Sequence, residues 1–162
     1  MGRRRPHVLI IVENLPVPFD RRVWQEATTL QRAGADVTVI CPRNDRWPKR
    51  EEVIDGVQIL RHPMPKEARG PLGYLVEYSA ALFWELWLSL RVRRKRRIDV
   101  IHGCNPPDLI FLVALVHRVL FGTRYVFDHH DISPELYEAK FGRRGLPWRL
   151  LVFVERLSYG CL

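Results

Sequence analysis

His7-Val8-Leu9-Ile10-Ile11-Val12 opens the unit that decides the fold, and Asp36-Val37-Thr38-Val39-Ile40-Cys41 closes it. Both stretches are short, rich in β-branched residues and almost wholly apolar, as strands buried on both faces are. Between them Asp20 is placed to N-cap a helix by accepting from the free amides of its first turn. Val23, Ala27 and Leu30 then recur at helical spacing, Gly34 stands where a C-cap belongs, and Pro42 stops the second strand. A strand–helix–strand unit of about 35 residues implies two parallel strands joined by a crossover.

The same alternation continues outward. Val53-Ile54 and Val57-Gln58-Ile59-Leu60 flank Asp55-Gly56, a two-residue hairpin signal. Pro63, Pro65, Gly70 and Pro71 mark a loop, and residues 72–90 read as an unusually apolar helix closed by the basic run 91–97. Asp99-Val100-Ile101-His102-Gly103 and Arg124-Tyr125-Val126-Phe127-Asp128 read as further strands. The helix between them is opened by Asn105-Pro106-Pro107-Asp108 and ends at Gly122. A short helix over 135–141 and a last one over 147–159 complete the chain. Strands alternating with helices predict an α/β, Rossmann-like open sheet, mostly parallel, with helices on both faces. The 162 residues suit one domain, residues 1–162.

Composition narrows the class. Apolar residues make up 47%, which excludes a disordered chain. The net charge of +8 predicts attraction to anions without saying which. Three widely spaced cysteines, Cys41, Cys104 and Cys161, fit reduced thiols in the cytoplasm better than a disulfide framework. The apolar run after the basic N-terminus ends at Glu13, too soon for a signal peptide or a spanning helix. His129 and His130, with His102 or Cys104 added, have no compact ligand spacing, so no metal is expected.

In an open parallel sheet, ligands sit beyond the carboxyl ends of the strands. Three loops leave from that edge: 13–20, 103–108 and 128–133. Asp128-His129-His130-Asp131 places two imidazoles and two carboxylates directly after a strand, where a histidine can donate to a sugar hydroxyl with its basicity set by a neighbouring carboxylate; a structural turn cap is the plainer alternative. In the first loop Pro16 and Pro18 stiffen the backbone, and Arg21 and Arg22 stand in the first helical turn, where an anion would bind. They serve equally well as solvated surface residues. Asn105 is a cap or a ligand contact. No glycine-rich dinucleotide fingerprint follows the first strand, which disfavours a nicotinamide-dependent dehydrogenase.

Three segments resemble family 4 glycosyltransferases, in the family's order and over nearly the whole chain: Glu13-Asn14-Leu15-Pro16-Val17-Pro18-Phe19-Asp20-Arg21-Arg22-Val23-Trp24-Gln25-Glu26-Ala27 with Leu30 and Gly34; His102 followed by Asn105-Pro106-Pro107-Asp108; and Asp128-His129-His130-Asp131-Ile132-Ser133-Pro134-Glu135-Leu136-Tyr137. The resemblance implies the GT-B architecture, in which an N-terminal Rossmann-like domain binds mostly acceptor and a C-terminal one binds mostly the nucleotide-sugar donor. It implies transfer with retention and usually without metal. His130 then corresponds to the histidine after the fifth strand that reaches the sugar, with Asp131 following it; these two are the catalytic candidates. Pro16, Phe19, Arg21, Arg22, His102, Asn105 and His129 are the substrate-binding candidates. Two departures stand out. The loop 15–19 lacks the Gly-Gly pair that many members carry near the donor phosphates, and Cys104 replaces the second histidine of a His-x-His pattern.

The expected function is therefore the N-terminal half of a glycosyltransferase, moving a sugar from a nucleotide-sugar to a glycan or lipid-linked acceptor in cell-surface polysaccharide or glycolipid synthesis. A donor-binding C-terminal domain is expected in the full-length enzyme, and the half alone is expected to be inactive. The alternative is a non-catalytic acceptor-binding or interaction module. The nucleotide-sugar counts as substrate, so no cofactor is expected. Residues 72–97 combine Trp84, Trp87 and six Arg/Lys, suited either to covering the sheet or to lying on an anionic membrane surface. Glu77 and Glu85 argue against a span. The expected location is the cytoplasm, with a peripheral contact on the inner membrane. No specific nucleic-acid partner is expected, because only charge supports one.

Overall fold

A computed structural model describes residues 4–64, 70–104, 108–129, 133–142 and 144–160. Among these, six strands form one sheet, and we label the elements in chain order: β1 (His7–Val12), α1 (Arg21–Arg32), β2 (Asp36–Pro42), β3 (Glu51–Ile54), β4 (Val57–His62), α2 (Gly70–Lys95), β5 (Val100–Cys104), α3 (Phe111–Phe121), β6 (Arg124–Asp128), α4 (Ser133–Phe141) and α5 (Leu146–Gly160). The order across the sheet is β3-β4-β2-β1-β5-β6. All pairings are parallel except the β3–β4 hairpin. Asp55 and Gly56 turn that hairpin with φ of 48° and 79°, as the Asp-Gly signal requires.

The expected mostly parallel α/β sheet is thus what the chain forms. Every residue of β1 is buried, because it is central and covered on both faces. Val8, Ile10 and Val12 pack with Val23 and Ala27 of α1. Leu9 and Ile11 point the other way, into a cluster with Leu88 and Val92 of α2 and Val113 and Ala114 of α3. Each such buried aliphatic side chain contributes about 1.5–3 kcal/mol, so this two-sided packing of the central strands is what holds the layers together.

α1 begins as expected: the Asp20 carboxylate accepts from Arg22 N and Val23 N at 3.1 and 3.2 Å. At its end the C-cap is Ala33, and Gly34 follows with φ of 92°. α2 runs further than the sequence implied, to Lys95. Arg and Lys propagate helices well, and cations in the last turn complement the dipole. The helix expected from Asn105 begins later. A single 3₁₀ turn, Asp108–Ile110, precedes α3, while residues 105–107 lie outside the described residues.

The basic run is knitted into the fold. Arg96 pairs with Asp36, Arg97 with Asp99 at 3.3 Å, and Arg91 with Glu51 at 3.2 Å. Arg93 lies 4.5 Å over the Phe121 ring. Four of its six cations therefore have partners within the chain. No helix among the described residues is long and apolar enough to cross a membrane.

Candidate functional site

The polarity of the sheet sets the site. β1 connects through α1 toward β2, whereas the chain leaving β4 crosses through α2 to β5 on the other side of β1. The direction of winding therefore reverses between β1 and β5, where open α/β sheets bind ligands at the strands' carboxyl ends. Val12 pairs with Cys104, and Cys104 pairs with Asp128, so β1, β5 and β6 end level with one another. The first loop and the histidine-bearing loop consequently leave from one rim, two strand spacings or about 10 Å apart.

The first loop is rigid for reasons the sequence only half revealed. The Pro16 carbonyl accepts from Asp20 N at 3.0 Å, and the Val17–Pro18 peptide is cis. Val17 N donates to Cys41 Sγ at 3.4 Å, and burial pushes the Cys41 thiol up to about 11. Arg61 of β4, with a wholly buried side chain, donates to the Val17 carbonyl at 2.5 Å and to Glu52 at 2.6 Å. Nothing in the local sequence of the loop points to Arg61. The one available signal was a charged residue directly after the apolar pair Ile59-Leu60 of the strand Val57–His62. Of the substrate-binding candidates here, Pro16 is buried in the turn, while Phe19, half exposed, and Arg21 and Arg22 face solvent beside the rim.

Two acids under the loop were not anticipated as a pair. Glu13 is buried directly after β1, and Glu85 of α2 is wholly buried. Burial, with Glu77 nearby, pushes the Glu13 carboxyl up to about 8. Burial and then the neighbouring Glu13 raise Glu85 well above the usual carboxyl range. Each carries a buried oxygen without a hydrogen-bond partner, so burial favours the neutral acid over the carboxylate in both.

His102 and His129 do not share one environment. His129 sits after β6, where Tyr159 Oη lies 3.1 Å from its Nδ1. Glu155 Oε1 is 3.1 Å from Nε2 as an ion-pair approach. Both partners of the His129 ring stand on α5. His102 lies within β5 and faces α1, with Nε2 3.3 Å from Asp128 Oδ2 and 3.7 Å from Glu26 Oε2. Both of these neighbours are carboxylates of its own chain. His130, Asp131 and Asn105 lie outside the described residues.

Glu26, His102, Cys104 and Asp128 form a tetrad whose potential ligand atoms all lie within 4.8 Å of one another. His102 and Cys104 point to one face because they are two apart on a strand. Burial, then Asp128, raises the Glu26 carboxyl to about 7. Burial, then Glu26 and Asp128, raises the Cys104 thiol far above its usual value. The sequence signal was His102-x-Cys104; its partners at 26 and 128 are joined to it only by the fold.

A cavity of about 320 Å³ lies at the opposite, amino edge, lined by His7, Asp36, Gln58, Arg91 and Arg96 among others. Its arginines are paired with Asp36 and Glu51, and its edge is the wrong one for a doubly wound sheet.

Comparison with solved structures gives the same architecture. Sucrose-phosphate synthase from Thermosynechococcus elongatus superposes over 95% of this chain with a TM-score of 0.70 and 17% identity, and the match covers 40% of that protein. The catalytic domain of starch synthase IV from Arabidopsis thaliana, bound to ADP and acarbose, matches 76% of this chain and 33% of its own at 0.53 and 17% identity. The C-terminal domain of a Pyrococcus furiosus hydrogenase, PF1911, matches at 0.54 with 14% identity, over 78% of this chain and 95% of that one. A hydrogenase domain among them makes plain that such likeness shows the fold alone. The chain spans about 40% of the length of the synthase it superposes on. No curated protein matches it in sequence. The glycosyl transferase 4-like domain model, however, matches residues 20–161, and with the GT-B type sheet this makes the chain a member of that glycosyltransferase family.

Proposed function

We propose that the chain is the acceptor-side half of a retaining hexosyltransferase. It holds a glycan or lipid-linked acceptor while a sugar is moved from a nucleotide-sugar, in the synthesis of a cell-surface polysaccharide or glycolipid. The observation that carries this is the level ending of β1, β5 and β6 at the switch point, which sets the arginine-flanked first loop and the histidine-bearing loop on one rim. Phe19 offers a half-exposed ring for a sugar face, and Arg21 and Arg22 offer charge to a phosphate beside the first turn of α1. His130 and Asp131, directly after β6, are the proposed contacts to the reacting sugar.

Transfer must stabilise a departing diphosphate and an oxocarbenium-like centre, and must exclude water while it does so. One rim cannot close over its substrate, so the reaction requires a donor-binding lobe facing it. The proposed chemistry uses no metal ion. The proposed setting is the cytoplasm, with α2 resting on the inner membrane. Val76, Phe83 and Trp87 form an exposed apolar stripe on that helix, which suits an interface carrying a lipid-linked acceptor. The purified 162-residue chain, given UDP-, ADP- and GDP-hexoses with short oligosaccharides, is expected to transfer nothing on its own. Measurable transfer would overturn the half-site proposal.

A further inference from the structure

We propose that Glu26, His102, Cys104 and Asp128 form a four-ligand site for a zinc-like divalent metal ion, joining α1 to the carboxyl ends of β5 and β6. The inference stands on geometry and donor chemistry, and it is independent of the sugar-transfer proposal.

The four residues come from three elements and offer one thiol, one imidazole and two carboxyls. A tetrahedral zinc ion with bonds of about 2.0–2.3 Å sets its ligand atoms about 3.3–3.8 Å apart. His102 Nε2 already stands 3.3 Å from Asp128 Oδ2 and 3.7 Å from Glu26 Oε2. The whole set lies within 4.8 Å, so closing the site needs contraction of about 1 Å at its widest pair. Glu26 can supply that movement. It is a flexible side chain on a helix surface and partly exposed.

The donors select the class of ion. Calcium and magnesium take six or more oxygens and reject a thiol, while copper(I) and iron–sulfur clusters require more than one sulfur. One sulfur, one nitrogen and two oxygens in a compact set suit Zn²⁺, with Co²⁺ as its spectroscopic substitute. Cys104 is a free, fully buried thiol, placed as a ligand but out of reach of bulk oxidants. An ion also has a way in. An open hollow of about 370 Å³, lined by Gln25, Glu26, Thr29, Leu30 and His102, leads to the tetrad from the α1 side. Four protein ligands leave no open coordination position, so the ion is structural rather than catalytic. It fastens α1, whose first turn follows the first rim loop, to the two strands that carry the other rim loops.

The test uses the whole chain, stripped with a chelator and titrated with Co²⁺. One equivalent is expected to produce the visible bands of a tetrahedral site together with a near-ultraviolet thiolate-to-cobalt band, both bleached by one equivalent of Zn²⁺. Cys104→Ser should abolish the thiolate band, whereas Cys41→Ser and Cys161→Ser should keep it. Glu26→Gln changes only a partly exposed helix side chain. It should retain the far-ultraviolet circular dichroism of the parent and bind Zn²⁺ at least tenfold more weakly, as shown by competition with a chromophoric chelator. Saturating Zn²⁺ should raise the melting temperature of the parent by about 5–10 °C, and that of Glu26→Gln by much less. The proposal is overturned by cobalt bands without a thiolate component, by a thiolate band that survives Cys104→Ser, or by undiminished zinc affinity in Glu26→Gln.

Discussion

The guanidinium of Arg61 donates to the carbonyl of Val17 at 2.5 Å across 44 residues of chain. A strand in the outer half of the sheet thereby holds the turn that follows its central strand. The same guanidinium is paired with Glu52 at 2.6 Å and has no exposed side-chain surface. The first rim loop is thus a fixed part of the sheet rather than a flexible flap.

Arg61→Met keeps the length of the side chain and removes both contacts, together with a third to the Lys49 carbonyl at 3.2 Å. Breaking a buried, hydrogen-bonded ion pair from one side costs on the order of 3 kcal/mol. The midpoint of urea unfolding should fall accordingly. Amide exchange at Val17 and Asp20 should accelerate more than exchange in α3. Uniform acceleration across the chain would mean that Arg61 stabilises the fold without fixing the loop.

The buried acids make stability depend on pH in a defined direction. Glu13 titrates at about 8 when folded, against an ordinary value of 4.5. Between those values the folded chain keeps a proton that the unfolded chain has lost, so stability falls as pH rises through that window. Glu85 acts in the same sense. His117, lowered from 6.5 to about 4 by burial and then by Arg93, acts oppositely: its contribution is full above 6.5 and is lost as pH falls toward 4. Above pH 6.5 the raised acids therefore act without the histidine, Glu26 among them up to about 7, and the contribution of each fades as pH passes its folded value. Urea midpoints measured from pH 6.5 to 8 should decline in the parent and decline less steeply in Glu13→Gln. An unchanged slope would show that Glu13 is ionised in the folded chain.

Gly103 has no room for a side chain. A Cβ there would stand 2.9 Å from both Ile110 Cγ2 and Tyr125 Oη. Gly103→Ala must displace the start of α3 or the ring on β6, at a cost of about 1–3 kcal/mol. The melting temperature should drop by about 2–12 °C; an unaltered value would mean that the contact relaxes freely.

How much of this was legible in the sequence follows from how local each signal is. The strands at 7–12 and 36–41 were readable because burial on both faces leaves a continuous apolar run, and the Asp55-Gly56 turn because its dihedrals demand those residues. The end of α2 was misplaced because a basic run reads as solvated surface, whereas four of its cations have partners supplied by distant segments. The rim was legible as an order of loops; its pins were not. Arg61, the Glu13–Glu85 pair and the partners of His102-x-Cys104 are joined only by strand register and helix packing. The partner of His129 on α5, Tyr159, was equally hidden, because it stands 30 residues further along the chain.

Vesicle flotation checks the membrane proposal. Val76, Phe83 and Trp87, with the net charge of +8 supplying the salt-sensitive attraction, should carry the chain onto anionic vesicles, and Phe83→Ser with Trp87→Ser should weaken binding. Equal failure of the parent with neutral and anionic vesicles would remove α2 from consideration as a membrane contact.

The most direct test of the shared rim is amide-shift mapping of the labelled chain, titrated with UDP-glucose, ADP-glucose, GDP-mannose and short oligosaccharides. Shifts are predicted in residues 13–22 and at Cys104, Asp128 and His129, with the amino edge at 34–36, 97–99 and 122–124 unmoved. Shifts gathered at the amino edge, or none at the rim with any of these probes, would contradict the account.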